Sequence, residues 1–256
     1  MRLLVHSEYV DHMGKDILLL VSSMTTGGAE RVAANLANAW VARGDRVTLL
    51  VTYSGRGECH YALSDQVELR FLADLVGRRG RDLLTYLRRV VELRKCIRAR
   101  RSGPVVSFLT NVNVATILSA CGTRMPIIVS EHTYPPTMPL GWLLETSRRL
   151  TYPLARRVTM LTSEGLLWLE RRIPRAKGAV IPNPVSYPLS VCEPIVAPEC
   201  TVLLSRKMLL AVGRLSIEKG FDDLLEAFAI LAPEHLSWDL VLLGDGPLRA
   251  TLEARR

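Results

Sequence analysis

Residues suited to chemistry, rather than to packing alone, cluster at a few points of the 256-residue chain. Gly27 and Gly28 follow an apolar run, Ile17 to Val21, and precede a helix-period segment. A residue without Cβ lets backbone amides approach a ligand closely, and the helix that follows adds its positive N-terminal end, so the loop suits an anion or a sugar. The same pair serves equally to turn the chain tightly into a packed helix. It is no dinucleotide fingerprint, because G-x-G-x-x-G is absent and no acidic residue closes the second strand. Glu131 and His132 stand just past another apolar run, Pro126 to Ser130. An imidazole and a carboxylate at the carboxyl tip of a buried parallel strand project into the ligand crevice, although a lone strand-end histidine also serves as a structural hydrogen-bonder. Asn111 and Asn113, beyond the run Pro104 to Leu109, suit either the ligand edge of a sheet or, preferably, the turn and cap of the next helix.

The elements that position these residues repeat one rhythm. Ile17 to Val21 reads as a strand. Val32, Leu36, Ala39 and Trp40 recur at helical steps up to Gly44, and Val47 to Val51 resumes the strand pattern, which makes a βαβ opening. Further strands are predicted at Val67 to Leu72, Pro104 to Leu109, Pro126 to Ser130 and Arg157 to Thr162, with helices at Val114 to Ala120, from about Gly141, and from Ser163 to Arg172. Ser54 to Cys59 reads as a glycine-rich loop. After Ile181-Pro182-Asn183-Pro184 a proline-dotted stretch suggests a linker, and the rhythm then restarts with a strand at Met208 to Val212, a helix at Phe221 to Leu231 and a strand at Leu240 to Leu243.

Composition narrows the partners. The formal charge is +8, and the segment from Arg78 to Arg101 carries ten basic residues against Asp82 and Glu92, an excess equal to that of the whole chain. Its leucines and valines keep helical spacing, so it is predicted to be a basic amphipathic helix, able to meet anionic lipid headgroups or to be the solvated face of a packed helix. Aromatic residues are 6% of the chain and the segment holds Tyr86 alone, too few for a nucleic-acid stacking platform. No run approaches the roughly 20 apolar residues that span a bilayer, and the first residues lack a signal-peptide core, which gives the expectation of a cytoplasmic, non-spanning protein. The five cysteines are odd in number, widely spaced and free of C-x-x-C pairs; reduced, mostly buried thiols are expected rather than disulfides or zinc.

Taken in order, GGAER (Gly27 to Arg31), SEHT (Ser130 to Thr133), IPNPV (Ile181 to Val185), VGRLSIEKG (Val212 to Gly220) and LLGDGPLRATLE (Leu242 to Glu253) make the chain resemble GT-B glycosyltransferases of family 4. SFLTNVN with VSEHTYPP is most similar to bacterial enzymes that add N-acetylhexosamine units to undecaprenyl-diphosphate-linked oligosaccharides. The resemblance implies an α/β, GT-B-like fold: an N-terminal extension over 1–16, a complete acceptor-side Rossmann-like domain over 17–190, a linker over 191–204, and an incomplete nucleotide-sugar-binding Rossmann-like domain over 205–256. It implies a retaining transferase of polysaccharide biosynthesis that uses a UDP-sugar donor and a lipid-linked glycan acceptor. Residue by residue, Gly27 and Gly28 match the glycine loop near the donor, and His132 matches the active-site histidine that hydrogen-bonds the sugar. Arg214 and Lys219 match the basic pair on the donor diphosphate, across a cleft from His132. Two cations on a departing nucleoside diphosphate lower the barrier electrostatically, so neither metal nor cofactor is expected, and no D-x-D pair is present to hold a metal.

The basic helix Arg78 to Arg101 occupies the position where similar enzymes contact the membrane or the acceptor diphosphate, which implies a peripheral location on an anionic inner leaflet. The family's paired glutamates, E-x7-E, have no counterpart before Arg256, so a truncated chain with weak or no transfer is expected. The alternative is a non-catalytic, membrane-peripheral module that binds polyprenyl diphosphate. A nucleotide-sugar epimerase or dehydrogenase is disfavoured by the missing dinucleotide fingerprint and Y-x-x-x-K pair.

Overall fold

A computed structural model of the chain describes residues 14–53, 59–76, 83–100, 103–185 and 206–255. The N-terminal extension up to residue 13, most of the glycine-rich loop after Tyr53, residues Arg78, Arg79, Arg81 and Arg101 of the basic segment, and most of the proline-dotted linker lie outside the described residues. The chain divides into two compact units, Met1–Val185 and Ser186–Arg256, each described by itself.

In the first unit seven parallel strands form one sheet: β1 (Asp16–Val21), β2 (Arg46–Val51), β3 (Glu68–Phe71), β4 (Val105–Phe108), β5 (Ile127–Ser130), β6 (Arg157–Met160) and β7 (Gly178–Val180). Their order across the sheet is β3-β2-β1-β4-β5-β6-β7. The chain winds outward in one direction to β3, then returns to the far side of β1 and winds the other way, so the switch point lies between β1 and β4.

Strands of a doubly covered sheet are apolar on both faces, and β1 shows why. Ile17, Leu19 and Val21 join Val47, Leu49, Val106 and Phe108 in one core; Leu18 and Leu20 join Leu50, Val105, Val129 and Val158 in the other. Helix α1 (Gly28–Ala42) covers the first face. Helices α3 (Leu83–Arg98), α4 (Thr110–Ala120) and α6 (Ser163–Arg172) cover the second, with Tyr152 buried among them; α2 (Leu72–Val76) and α5 (Trp142–Thr151) complete the unit. Each fully buried leucine of β1 contributes about 1.5–3 kcal/mol by leaving water.

The buried face of α1 differs from the expectation. Val32, Ala33, Ala34, Ala37 and Val41 are buried, whereas Leu36 and Trp40 are half-exposed and Ala39 is exposed. Three alanines let the helix axis approach the sheet, and the large side chains are displaced to its flanks. Gly44 (φ 92°) follows the helix in a left-handed turn, as its position predicts. Gly103 (φ 102°) precedes β4, and a Cβ there would lie 2.2 Å from the Asp16 carbonyl oxygen. Two elements escaped the sequence: α2, one short turn after β3, and β7, a three-residue edge strand preceding the prolines. The cysteines also differ from the expectation: Cys59 and Cys96 are half-buried and Cys121 is exposed, with Cys192 and Cys200 outside the described residues.

In the second unit, β8 (Lys207–Val212) and β9 (Trp238–Leu243) pair in parallel, with α7 (Phe221–Leu231) and α8 (Arg249–Glu253) packed through Leu215, Phe221 and Leu252. Among the described residues no helix is long and apolar enough to cross a membrane.

Candidate functional site

At the carboxyl edge of the first unit's sheet, the tips of β1, β4 and β5 bring together the glycine loop, the start of α4 and His132. The glycine loop is braced from two sides. Ser23 donates to Glu30 Oε1 at 2.5 Å, Tyr61 Oη donates to the Gly27 carbonyl at 2.8 Å, and the His60 amide donates to the Met24 carbonyl at 3.0 Å. The Glu30 carboxylate fills the space a Gly27 side chain would take, at 2.1 Å from its ideal Cβ, while a Cβ on Gly28 would meet nothing within 4 Å. A side chain at position 27 would have to displace the flexible end of Glu30, whereas Gly28 leaves an open face at the first turn of α1.

Leu109 links β4 to α4 with φ 72° and ψ 143°, the one positive-φ non-glycine among the described residues. Such a conformation costs of order 1–3 kcal/mol and persists where its surroundings over-determine it. Here the Leu109 amide donates to the Ser130 carbonyl at 3.1 Å, and the Asn113 amide bonds back to the Leu109 carbonyl at 2.9 Å. The helix therefore begins at Thr110, four residues earlier than its apolar pattern suggests, and neither asparagine caps it. Asn111 is exposed. Asn113 is fully buried: Ser107 Oγ donates to its Oδ1 at 2.7 Å, and its Nδ2 donates to the Ser130 carbonyl at 3.0 Å and to Tyr152 Oη at 3.1 Å. The capping expectation fails because a left-handed Leu109 turns the chain without a side-chain acceptor, which frees Asn113 to tie the two strand tips.

Glu131, 1% exposed, is the hub of this network. Thr110 Oγ1 lies 2.9 Å from both of its carboxylate oxygens, Tyr152 Oη donates to it, and the Arg148 guanidinium lies 3.8 Å away. Burial raises its pKa above the usual carboxylate range, against the hydroxyl donors and the cation, and the Tyr152 phenol is raised well above its ordinary value, chiefly by its own burial. Arg148 is itself buried, paired with Glu145 and stacked on Trp168 at 4.5 Å. Glu131 thus faces away from the ligand edge and supports it from within.

His132 follows it at the same strand tip. Its ring lies against Phe108, centroids 4.2 Å apart, and both ring nitrogens are buried without a hydrogen-bond partner among the described residues. Burial lowers its pKa to about 4, so the imidazole is neutral at pH 7 and presents one donor and one acceptor. A buried polar pair without a partner among the described residues is costly to leave unmet. Tyr61, Thr110, Arg148 and Tyr152 were not legible as part of this site; only the polar Thr110 immediately after an apolar run gave any signal.

In the second unit, Arg214 and Lys219 are exposed on the loop that follows β8, whose backbone is fixed by the Leu215 amide to the Asp245 carbonyl (2.9 Å) and the Lys219 amide to the Ser216 carbonyl (3.0 Å). Gly244 approaches this loop so closely that a Cβ would lie 1.8 Å from the Gly213 carbonyl oxygen. Glu218 sits between the two cations in sequence. Its pKa is lowered first by the Ser216 hydroxyl bond at 2.6 Å and its own amide, with smaller contributions from Arg214 and Lys219.

Comparison with known proteins identifies the family. The family model for Glycosyltransferase Family 4 matches residues 26–187, and that for Glycosyl transferases group 1 matches residues 202–256. A relative from Campylobacter jejuni is 27% identical over 243 residues, covering 93% of this chain and 63% of its own length. It is named a GalNAc-alpha-(1->4)-GalNAc-alpha-(1->3)-diNAcBac-PP-undecaprenol alpha-1,4-N-acetyl-D-galactosaminyltransferase. An uncharacterized glycosyltransferase of Haemophilus influenzae is 22% identical over 87% of this chain and 59% of its own. The chain thus spans less than two thirds of the length of these curated relatives. Among solved structures, sucrose-phosphate synthase from Thermosynechococcus elongatus (TM-score 0.69, 17% identity) and Anabaena HepE in complex with UDP and glucose (TM-score 0.66, 18% identity) share its fold over 94% of this chain and 66% and 64% of theirs. The fold is GT-B, and the chain belongs to Glycosyltransferase Family 4.

Proposed function

We propose that the chain is the acceptor-side domain, with part of the donor-side domain, of a retaining glycosyltransferase that moves an N-acetylhexosamine from a UDP-sugar to a lipid-linked glycan in polysaccharide biosynthesis. The observation that carries this reading is the neutral imidazole of His132 at the tip of β5, its nitrogens without a partner among the described residues. The Campylobacter relative, which is named for acting on an undecaprenol-linked glycan, and the UDP-bound Anabaena structure support the acceptor and donor classes.

In this reading His132 hydrogen-bonds and orients the transferred sugar rather than acting as a base, since a pKa near 4 makes it a poor proton acceptor at neutral pH. Arg214 and Lys219 neutralise the charge that develops on the departing diphosphate. In a front-side displacement the leaving phosphate takes the proton of the attacking hydroxyl, so no side chain need be a general base. The open face at Gly28 leaves room for the sugar or its phosphates at the first turn of α1. The positive helix α3 fits a peripheral site on an anionic inner leaflet.

Calorimetric titration of the chain with UDP tests the donor assignment. Saturable heat that falls at least about tenfold in affinity in the Arg214→Ala/Lys219→Ala double variant is expected. No detectable heat, with salt-sensitive binding to anionic vesicles retained, would replace the transferase by a non-catalytic lipid-binding module.

A further inference from the structure

The amino edge of the first unit's sheet, opposite the edge that carries His132, holds a depression that the proposed transfer chemistry does not use. Strands β5, β6 and β7 are neighbours and run parallel, so their first residues lie side by side along that edge. A cation stands just before each start: Arg124 before β5, Arg156 before β6 and Lys177 before β7. The backbone fixes this row. The Thr123 amide and hydroxyl both donate to the Ala120 carbonyl, at 2.9 and 2.7 Å, and hold the turn that leads to Arg124. The Arg156 amide donates to the Ile127 carbonyl at 2.7 Å, and the Val158 amide to the Lys177 carbonyl at 2.9 Å. The three basic residues line one open depression of about 490 Å³, with Met125, Pro153 and Leu154 among its apolar wall. That volume is within the range of small-ligand sites.

Charge pairing separates this row from the rest of the same edge. Under β1, β2 and β3 the arginines meet carboxylates: Arg100 pairs with Asp16, Arg70 with Glu68 and Arg43 with Asp45. Under β5, β6 and β7 no carboxylate lines the depression, and Arg124, Arg156 and Lys177 have no ion-pair partner among the described residues. Like charges gathered on a concave surface raise its potential, because the low-dielectric walls focus the field on whatever enters. Two guanidinium forks and an ammonium suit phosphate oxygens, the forks by paired hydrogen bonds and the ammonium as a point charge. Neighbouring strands lie about 4.8 Å apart, so the row spans roughly 10 Å from β5 to β7, enough for linked phosphates side by side. The lining holds no aromatic ring on which a base could stack, which argues against a nucleic-acid strand.

We infer that this depression is an anion site for a small molecule carrying two or more linked phosphates, separate from the donor and acceptor positions. β5 runs from the depression to His132, roughly 16 Å away at about 3.3 Å per residue, so an occupant braces the start of the strand whose tip holds the imidazole. The site does not depend on the transferase reading.

The test uses residues 1–256 carrying Arg214→Ala and Lys219→Ala, so that the loop proposed for the donor diphosphate does not contribute. Calorimetric titration at fixed ionic strength compares inorganic phosphate, diphosphate and triphosphate. Affinity should rise at least about tenfold from phosphate to triphosphate. Arg124→Gln, Arg156→Gln and Lys177→Gln should each weaken triphosphate about three- to tenfold. Arg171→Gln removes the same charge from α6, outside the depression, and should change that affinity less than about twofold. All four positions are exposed, so each variant should melt with the parent. Absence of saturable triphosphate binding would overturn the site. Equal weakening by Arg171→Gln would assign the effect to net charge and overturn it as well. Binding to phosphatidylglycerol vesicles that depends on the same three residues, without affinity for triphosphate, would give the row to a bilayer surface and overturn it too. The UDP titration of the unsubstituted chain reports on the transferase reading independently, so the two can fail separately.

Discussion

Replacing His132 by leucine removes two buried nitrogens that no described residue satisfies and keeps an apolar body of similar size against Phe108. Each buried polar atom without a partner costs about 1–3 kcal/mol, and a roughly isosteric apolar exchange costs less than about 1.5 kcal/mol. The net expectation is that His132→Leu stabilises the first unit by about 1–2 kcal/mol at pH 7.5. In a unit of this size that raises the melting temperature by about 4 °C. The pH dependence supplies a second signature. The folded-state pKa is about 4, below the ordinary value of 6.5, so the unfolded chain binds the proton more readily between those limits. Parent stability is whole above about pH 6.5 and declines as the pH falls toward 4, by about 3 kcal/mol, whereas the leucine variant lacks this component. Urea unfolding at about pH 7.5, 5.5 and 4.5, followed by circular dichroism, measures both. A variant less stable than its parent at pH 7.5, or one with the same acid slope, would refute the account of an unmatched neutral imidazole. Loss of function in a more stable protein would mark His132 as a residue kept at a cost to folding.

Two further outcomes follow from the same edge of the sheet. Glu131→Gln should cost less than about 1 kcal/mol at neutral pH, because an amide still meets the Tyr152 and Thr110 hydroxyls, whereas Glu131→Leu should cost about 2–4 kcal/mol by orphaning both. Since burial raises the Glu131 pKa, its contribution is whole below the ordinary carboxylate range and is lost as the pH rises toward the folded value, so the glutamine variant should gain on the parent in alkaline urea melts. Gly28→Val should leave the melting temperature within about 2 °C while weakening UDP-sugar binding, whereas Gly103→Ala should lower stability by about 2 kcal/mol or more by driving a Cβ into the Asp16 carbonyl. Thermal melts paired with UDP-sugar titration separate the two effects.

How much of this was written in the sequence depends on whether the signal was local. The strands were legible because strands covered on both faces are apolar without alternation, and α6 and α7 were placed residue for residue by their flanking polar turns. His132 was visible as a polar residue at a strand tip. The network behind it was not: Glu131 read as a carboxylate aimed into the ligand crevice, and Thr110, Tyr152 and Arg148, drawn from other elements, carried no sequence signal that they would be buried beside it. Arg148 is the plainest case: an arginine in a helix patterned like a solvated one, yet buried against Trp168. The buried face of α1 was misread for a related reason, because alanines carry little weight in a hydrophobic pattern while deciding how closely a helix can lie.

The three-residue β7 has a bearing on how the protein behaves at high concentration. An outer strand normally offers a row of free amides and carbonyls to any chain that drifts past, which is how native sheets grow into aggregates. Here the row ends after Val180, and Pro182 and Pro184, which lack amide hydrogens, follow at once. That margin of the sheet gives a neighbouring molecule almost nothing to zip onto, so preparations of the protein should resist edge-to-edge polymerisation from this side even though β1 and β2, deeper in the sheet, are rich in leucine, isoleucine and valine.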